Sequence, residues 1–265
     1  MPAISSIEGF DFLTDQRFPN DRNNRVETLK LLNSGGGKEY GDYVGRAALD
    51  ALDTSAQLKR IAATYKSGAQ YPETPFARGL QTIAKLISAD LGTKIFHITI
   101  GGFDTHAGQA RTHDALLKAV AEGVQAFTRD LETMGRGDDV ALMTFSEFGR
   151  RVAENGSAGT DHGAAAPLYI MGAGVNAGLF GDHPSLADLD NGDLKFKVDF
   201  RSVYGTLVQD WLGADPAGII GGGSFPRIGF VKDPATPGGG GGGGRGGGRG
   251  KLLDRRSLVL DLAAK

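Results

Sequence analysis

IFHITIGGFDTH, residues 95–106, governs how the rest of the sequence is read. Residues 95–100 form a bulky, β-branched run with no breaker, the composition of a buried strand. Gly101 and Gly102 end the run, and Asp104 and His106 follow in what must be a polar loop. In open α/β sheets, ligands and chemistry gather at the carboxyl ends of strands, where side chains from several loops converge. Asp104 and His106 are therefore the first candidate site residues.

Outward from this strand the pattern is regular. Upstream, Thr74 and Pro75 supply an N-cap and a first-turn proline for a helix whose apolar face is Phe76, Leu80, Ile83 and Leu86/Ile87, stopping near Gly92. Before it, Val44, Leu49, Leu52, Leu58, Ile61 and Tyr65 have the spacing of a longer helix, and residues 1–38 read as loop-rich with one short helical pattern at 26–32. Downstream, Leu116, Leu117, Val120, Val124, Phe127 and Leu131 predict a helix over about 112–134, closed by Gly135 and Gly137. Residues 139–145, DVALMTF, then read as a second buried strand. Strand, helix, strand at this spacing is a βαβ unit with parallel strands. A Gly-rich loop, a third strand at 167–171, a polar insertion around 182–197 and a helix at 199–212 follow. The expected fold class is α/β, a doubly wound, mostly parallel sheet.

The expected organisation is an α/β domain over 1–235, a Gly/Arg-rich flexible linker over 236–250 and a short helical tail over 251–265. Among 265 residues there is no cysteine, so disulfides and thiolate metal sites are excluded. A net charge of −2 gives no overall pull toward nucleic acid or anionic membrane. Two arginines in the glycine run, without aromatic residues, do not make a nucleic-acid tail. No apolar run is long enough to span a membrane, and the first residues lack the pattern of an export signal.

Five histidines occur, and Asp104-x-His106 and Asp161-His162 join imidazole to carboxylate in strand-end loops. Carboxylate and imidazole are what hard or borderline divalent cations bind; each pair is equally readable as turn chemistry. His113, at the start of a helix, either points back at the cleft or simply begins the helix. His97 reads as a core residue or one that supports a ligand from behind, and His183 as a loop residue. Glu147 could ligate an ion or orient a ligand, and Arg150 or Arg151 could clamp an anion; a surface Glu–Arg pair is the plainer reading. Asn155 and Thr160 either position a ligand or make ordinary turns. Asp199 reads as an N-cap, and Arg201 either joins Arg150 in a cleft for an anionic substrate or faces solvent.

Taken together, GGFDTH (101–106) with Gln109 and His113, SEFGRR (146–151) with Asn155, GTDHG (159–163) and DFRSVY (199–204) leading to WLG (211–213) resemble the bacterial domain-of-unknown-function 1501 proteins, relatives of the alkaline phosphatase and sulfatase superfamily. The resemblance covers roughly residues 2–231. It implies an alkaline phosphatase/sulfatase-like fold and a metal-dependent hydrolase of a small anionic phosphate or sulfate ester, using divalent ions (Zn, Mn, Ca or Fe). Asp104 and His106 would belong to one metal site, Asp161 and His162 to another, with His113 competing for the role of His106. Glu147, Arg150 and Arg151 would be the catalytic side chains. Superfamily members open with a strand bearing another metal-binding Asp, followed by the nucleophile at a helix N-terminus, and residues 1–38 contain no such pattern. The sheet is therefore expected to be incomplete on its N-terminal side, with self-association of the exposed edge. The alternative function is a ligand- or partner-binding protein without turnover. The resemblance also suggests an exported protein.

Overall fold

Phe96, Ile98 and Ile100 alternate with Ile95, His97 and Thr99, so β1 (Ile95–Ile100) can bury one face and leave the other to solvent. This is what the computed structural model shows. It describes residues 17–18, 20–33, 39–221, 223, 225–232 and 256–263. Phe96 is buried whereas Ile95, His97 and Thr99 are exposed, so the expectation of a fully buried strand is corrected to a half-buried one. The reason is position: among the described residues β1 is the edge of its sheet. His97 accordingly lies outside the core, its ring 6.2 Å from that of Phe145.

The sheet has four strands in the order β1, β8 (Ser257–Ala263), β2 (Val140–Ser146), β5 (Ile170–Met171). The first three are parallel and β5 is antiparallel to β2, giving a mixed α/β fold with a mostly parallel central sheet. The helical tail expected over 251–265 is not what residues 257–263 form. They are the strand between β1 and β2, with Ile95 opposite Leu258 on one side and Val140 opposite Ser257 on the other. Leu258 and Leu260 have a period of two as well as a helical reading, and a short apolar run cannot choose between them; a place between two parallel strands does. The expected linker, 236–250, lies outside the described residues.

Three helices flank the sheet in the same unit. Thr74 accepts a hydrogen bond from the Ala77 amide at 3.1 Å and starts α3 (Pro75–Ser88), whose Phe76, Ala77, Leu80 and Ile83 are buried. The α4 helix (Gln109–Thr133) places Phe127 and Leu131 with Val140 and Leu142 of β2 around a small void. On the alternate residues of β2, Ala141 and Met143 pack with Leu258 against Val203, Leu207 and Trp211 of α5 (Phe200–Thr206) and the π-helical turn Leu207–Trp211 that prolongs it. Asp199 caps α5 by accepting from the Arg201 amide at 2.8 Å. Buried Asp130 on α4 accepts from the Gly68 amide at 2.8 Å and the Tyr71 hydroxyl at 2.9 Å, which ties down the loop before α3.

The segment read as a Gly-rich loop is a hairpin of β3 (Gly149–Glu154) and β4 (Thr160–Gly163), with Arg150 opposite His162. The polar insertion contains a second hairpin, β6 (Leu189–Asp190) and β7 (Asp193–Leu194), turned by Asn191 and Gly192, both at positive φ. All of this except the end of α3, residues 85–88, belongs to one unit, residues 67–84 with 90–265. The other unit, residues 1–66 with 85–89, contains α1 (Asp21–Asn33) lying against α2 (Glu39–Thr64). There Arg25 pairs with Asp21 at 2.8 Å, one turn earlier, and Lys85 lies 5.9 Å from the Tyr65 ring centroid. Among the described residues no helix is long and apolar enough to cross a membrane.

Candidate metal centre

Two loops build the site. The loop after β1 carries Asp104 and His106, and the β3–β4 hairpin carries Arg150, Asn155, Asp161 and His162. The loops meet because small residues let backbone touch backbone. A Cβ on Gly159 would sit 2.2 Å from the His106 carbonyl carbon, and one on Gly149 would sit 1.9 Å from the Ala165 carbonyl oxygen. The hairpin turn also caps α4 in place of a side chain: Gly108 and Gln109 amides donate to the carbonyls of Ser157 and Ala158 at 3.0 and 2.8 Å.

At the meeting point the two Asp/His pairs are crossed. His162 Nε2 lies 2.6 Å from Asp104 Oδ1, and His106 Nε2 lies 3.1 Å from the same oxygen. The other ring nitrogen of His106 faces Asp161 Oδ1 at 3.3 Å. Asp104, His106 and His162 each offer a ligand atom, and these atoms all lie within 4.8 Å of one another, a group that could hold a metal ion. Asp104 and His162 are half-buried, while His106 and Asp161 are exposed.

The donor set fits such an ion. One carboxylate and two imidazoles suit borderline divalent cations, whose bonds of about 2.0–2.2 Å separate tetrahedral donor atoms by about 3.3 Å. Starting from 2.6 and 3.1 Å, the Asp104 contacts need to open by less than about 1 Å to admit one. The carboxyl of Asp104 is held below its ordinary range, chiefly by the hydrogen bond from His162 and then by the charges of His162, His106 and Arg150, against the opposing effect of desolvation. That of Asp161 is lowered first by the hydrogen bond from Asn155 and then by that from His106. Both acids are thus kept in the form that binds cations.

Around the triad, several side chains fix its shape. The Phe148 ring stacks on His162 with centroids 4.0 Å apart and planes 6° apart, and the Arg150 guanidinium lies 4.9 Å from the Phe148 ring centroid. Asn155 Nδ2 donates to Asp161 Oδ1 at 3.1 Å and to the His106 carbonyl at 3.0 Å, while its Oδ1 accepts from the amides of Ser157 and Gly159. Arg150 donates to the carbonyls of Thr160 and Phe103 and to Thr105 Oγ1, and sits 3.9 Å from Asp104. Its guanidinium therefore joins the two loops. Thr160 donates to Gln109 at 3.1 Å.

Of the residues singled out in the sequence, the structure gathers Asp104, His106, Asp161, His162, Arg150, Asn155 and Thr160 at one place. His113 does not join them: it packs edge-on against Phe103 and lines a neighbouring open depression of ≈ 510 Å³ with Gln109, Arg111, Asp114, Leu117 and Glu154. Glu147 is exposed in the β2–β3 turn and makes no hydrogen bond or ion pair among the described residues. Arg151 points to Asp193 at 3.6 Å, and its charge contributes to the lowered Asp161 carboxyl. Among the described residues His183 bonds to the Pro184 carbonyl, and Arg201 is occupied with Asp199 and the Phe225 ring. Phe148 and Thr105 were not singled out, although both stand inside the quoted motifs; nothing in a single sequence marks Phe148 as the residue that stacks on an imidazole.

The family model described as "Protein of unknown function (DUF1501)" matches residues 10–207, three quarters of the chain and every residue of the cluster. The chain belongs to the DUF1501 family. No curated protein and no solved structure matches it. Within this DUF1501 protein, the four quoted motifs thus map onto two meeting loops and the start of α5, with the first three building the cluster.

Proposed function

We propose that this DUF1501 protein is a metal-dependent hydrolase of a small phosphate or sulfate ester, similar in fold and chemistry to the alkaline phosphatase and sulfatase superfamily. The observation that carries the reading is the convergence of Asp104, His106 and His162 on one point, with two cationic side chains in the same hairpin. Asp104, His106 and His162 would hold a divalent ion, of which Zn, Mn and Fe best suit an imidazole-rich set. Asp161 would complete the set or orient His106, to which it is already bonded. When bound, the ion supplies Lewis acidity to an ester oxygen and lowers the pKa of a coordinated water. Arg150 keeps the two loops together, and the more exposed Arg151 is the cation open to the non-bridging oxygens of an anion.

One observation favours a second reading, metal-dependent ligand binding without turnover. The loop hydroxyls of Thr105 and Thr160 are engaged with Arg150, Phe103 and Gln109, so neither stands ready as a nucleophile. The test separates the two. Titration calorimetry with Zn²⁺ and Mn²⁺ on wild type and Asp104→Ala/His162→Ala is expected to show binding that the double variant lacks. Release of nitrophenol from p-nitrophenyl phosphate or sulfate by wild type alone supports the hydrolase. Binding without hydrolysis supports the second reading, and no metal binding by wild type sinks both.

A further inference from the structure

The strand at the centre of the sheet is the one most remote in sequence from its neighbours. Ser257 donates through its hydroxyl to the Thr93 carbonyl across a separation of 164 residues, and the family match ends at 207, before β8 begins. The walls of its place, β1 and β2, are already joined to each other through α4. Removing β8 breaks no local connection; what it breaks are two parallel ladders, the contacts at its entry and the core packing of Leu258 and Val259. Those entry contacts converge on the only tryptophan of the sequence. Trp211 Nε1 donates to the Ser257 carbonyl at 3.0 Å, and the Arg256 guanidinium lies 4.4 Å from the Trp211 ring while donating to the Asp210 carbonyl.

Each wall ends in one of the two loops of the metal centre. The chain leaves β1 at Ile100 to reach Asp104 and His106, and leaves β2 at Ser146 to reach Phe148, Arg150 and, through the hairpin, His162. Ile100 and Ser146 are both paired with Ala263, so the last residue of β8 is the spacer between the two loop origins. Parallel neighbours stand about 4.8 Å apart, so a strand in this place sets how far apart the two loop origins stand.

We infer that residues 256–263 are a releasable central strand, and that their docking between β1 and β2 assembles the metal centre. Docked, they set the spacing at which Asp104 meets His162. Released, they leave an open cleft between the walls, a buried Trp211 without its cover, and the two loops unconstrained. Metal binding and strand docking then favour each other by the same factor, as linkage requires. This last statement rests on the proposed metal reading; release itself does not.

The test uses the full chain. Native-state hydrogen exchange compares the amides of Leu258, Val259 and Leu260 with those of Ala141, Leu142 and Met143 in the strand beside them. Release is expected to expose the β8 amides at least tenfold faster than those of β2, whereas equal rates would mean that β8 opens only with the whole sheet and would overturn the inference. Val259→Asp, at a fully buried position, is expected to release the strand, shifting Trp211 emission to the red while α4 keeps its helicity. Imidazole NMR of that variant should show His106 and His162 changed although neither was touched; unchanged signals overturn the coupling. If Val259→Asp unfolds the chain, wild-type exchange with and without Zn²⁺ decides, since saturating metal is expected to slow β8 exchange and leave β2 unaltered. Failure of wild type to bind Zn²⁺ would sink the metal reading and leave the exchange comparison to judge release by itself. Concentration-dependent dimers with protected β8 amides would put a second copy's strand in the place and overturn the intrachain arrangement.

Discussion

Strands β1 and β8 lie side by side and parallel, yet they divide the work of the sheet unequally. β1 exposes Ile95, His97 and Thr99 and leads directly into Asp104 and His106. β8 buries Ser257, Leu258 and Val259 in succession and contributes none of the triad's ligands. The edge strand carries chemistry because its carboxyl end is open to solvent and to the hairpin, and the central strand carries stability because it has neighbours on both sides. A substitution in β8 should therefore cost far more than one on the outer face of β1.

The largest expected effect tests that asymmetry. Leu258→Ala removes a side chain that packs with Trp211, Leu207 and Met143 and should cost about 2–5 kcal/mol. Ile95→Ala, its register partner on β1 and partly exposed, should cost about 0.5 kcal/mol. Urea titrations followed by Trp211 emission measure both; comparable losses would mean that β1 is covered in solution and the contrast is false.

Next in size is a change at the contact between loops. Gly159→Ala places a methyl group against the His106 backbone, where only backbone movement can relieve it. The cost should be about 1–3 kcal/mol, typical of forcing an extra carbon into a closed space. The same change should weaken Zn²⁺ binding in calorimetry, while leaving β8 exchange no slower than in wild type. Unaltered stability would show that the loops are not in contact.

The elements that could be read from the sequence are those decided within a few residues. Thr74 and Asp199 as caps, the β1–α4–β2 order and the place of Asp104 and His106 in the loop after β1 each depend on local pattern or on the carboxyl-end rule, whereas the division of the two Asp/His pairs between separate metal sites is not the grouping the structure shows. Two errors had readable signals: His97 and Thr99 mark a one-faced strand, and Asn191-Gly192 marks the β6–β7 hairpin. The place of β8 had none, because Leu258 to Leu260 choose strand over helix only when β1 and β2 are present to receive them. The crossing of the Asp/His pairs was equally hidden, since Asp104 and His162 are 58 residues apart and their contact is set by the hairpin register.

A smaller effect is expected at Asn155, which touches both loops without belonging to the triad. Asn155→Ala removes its bonds to Asp161 and His106 and leaves the amides of exposed Ser157 and buried Gly159 without their acceptor. Water can replace the bond to Ser157 but not that to buried Gly159, so stability should fall by about 1 kcal/mol. Metal affinity should fall about 10–100-fold, the usual consequence of losing a group that orients a ligand. Calorimetry with Zn²⁺ checks this, and an affinity equal to wild type would leave Asn155 with a turn-forming role only.

The smallest effect concerns the helix that covers β8 from one face. Asp199 caps α5 and pairs with Arg201 through both oxygens, at 2.9 and 2.6 Å. Its carboxyl is lowered to about 2, first by the Arg201 side chain and then by the Arg201 amide. A carboxyl whose folded value lies below its unfolded value of 3.8 stabilises the fold above the unfolded value, and that contribution is lost as pH falls toward about 2. Asn is as good an N-cap as Asp, so Asp199→Asn keeps the cap and removes only the ion pair. Thermal melts of the two proteins should differ by a constant amount at neutral pH, with wild type the more stable. The difference should shrink between about pH 4 and about pH 2 as wild type takes up the proton, and it should narrow with added salt because the pair is solvent-accessible. A difference that is independent of pH would mean that Asp199 does not hold Arg201 in solution, and that α5 covers Leu258 without this support.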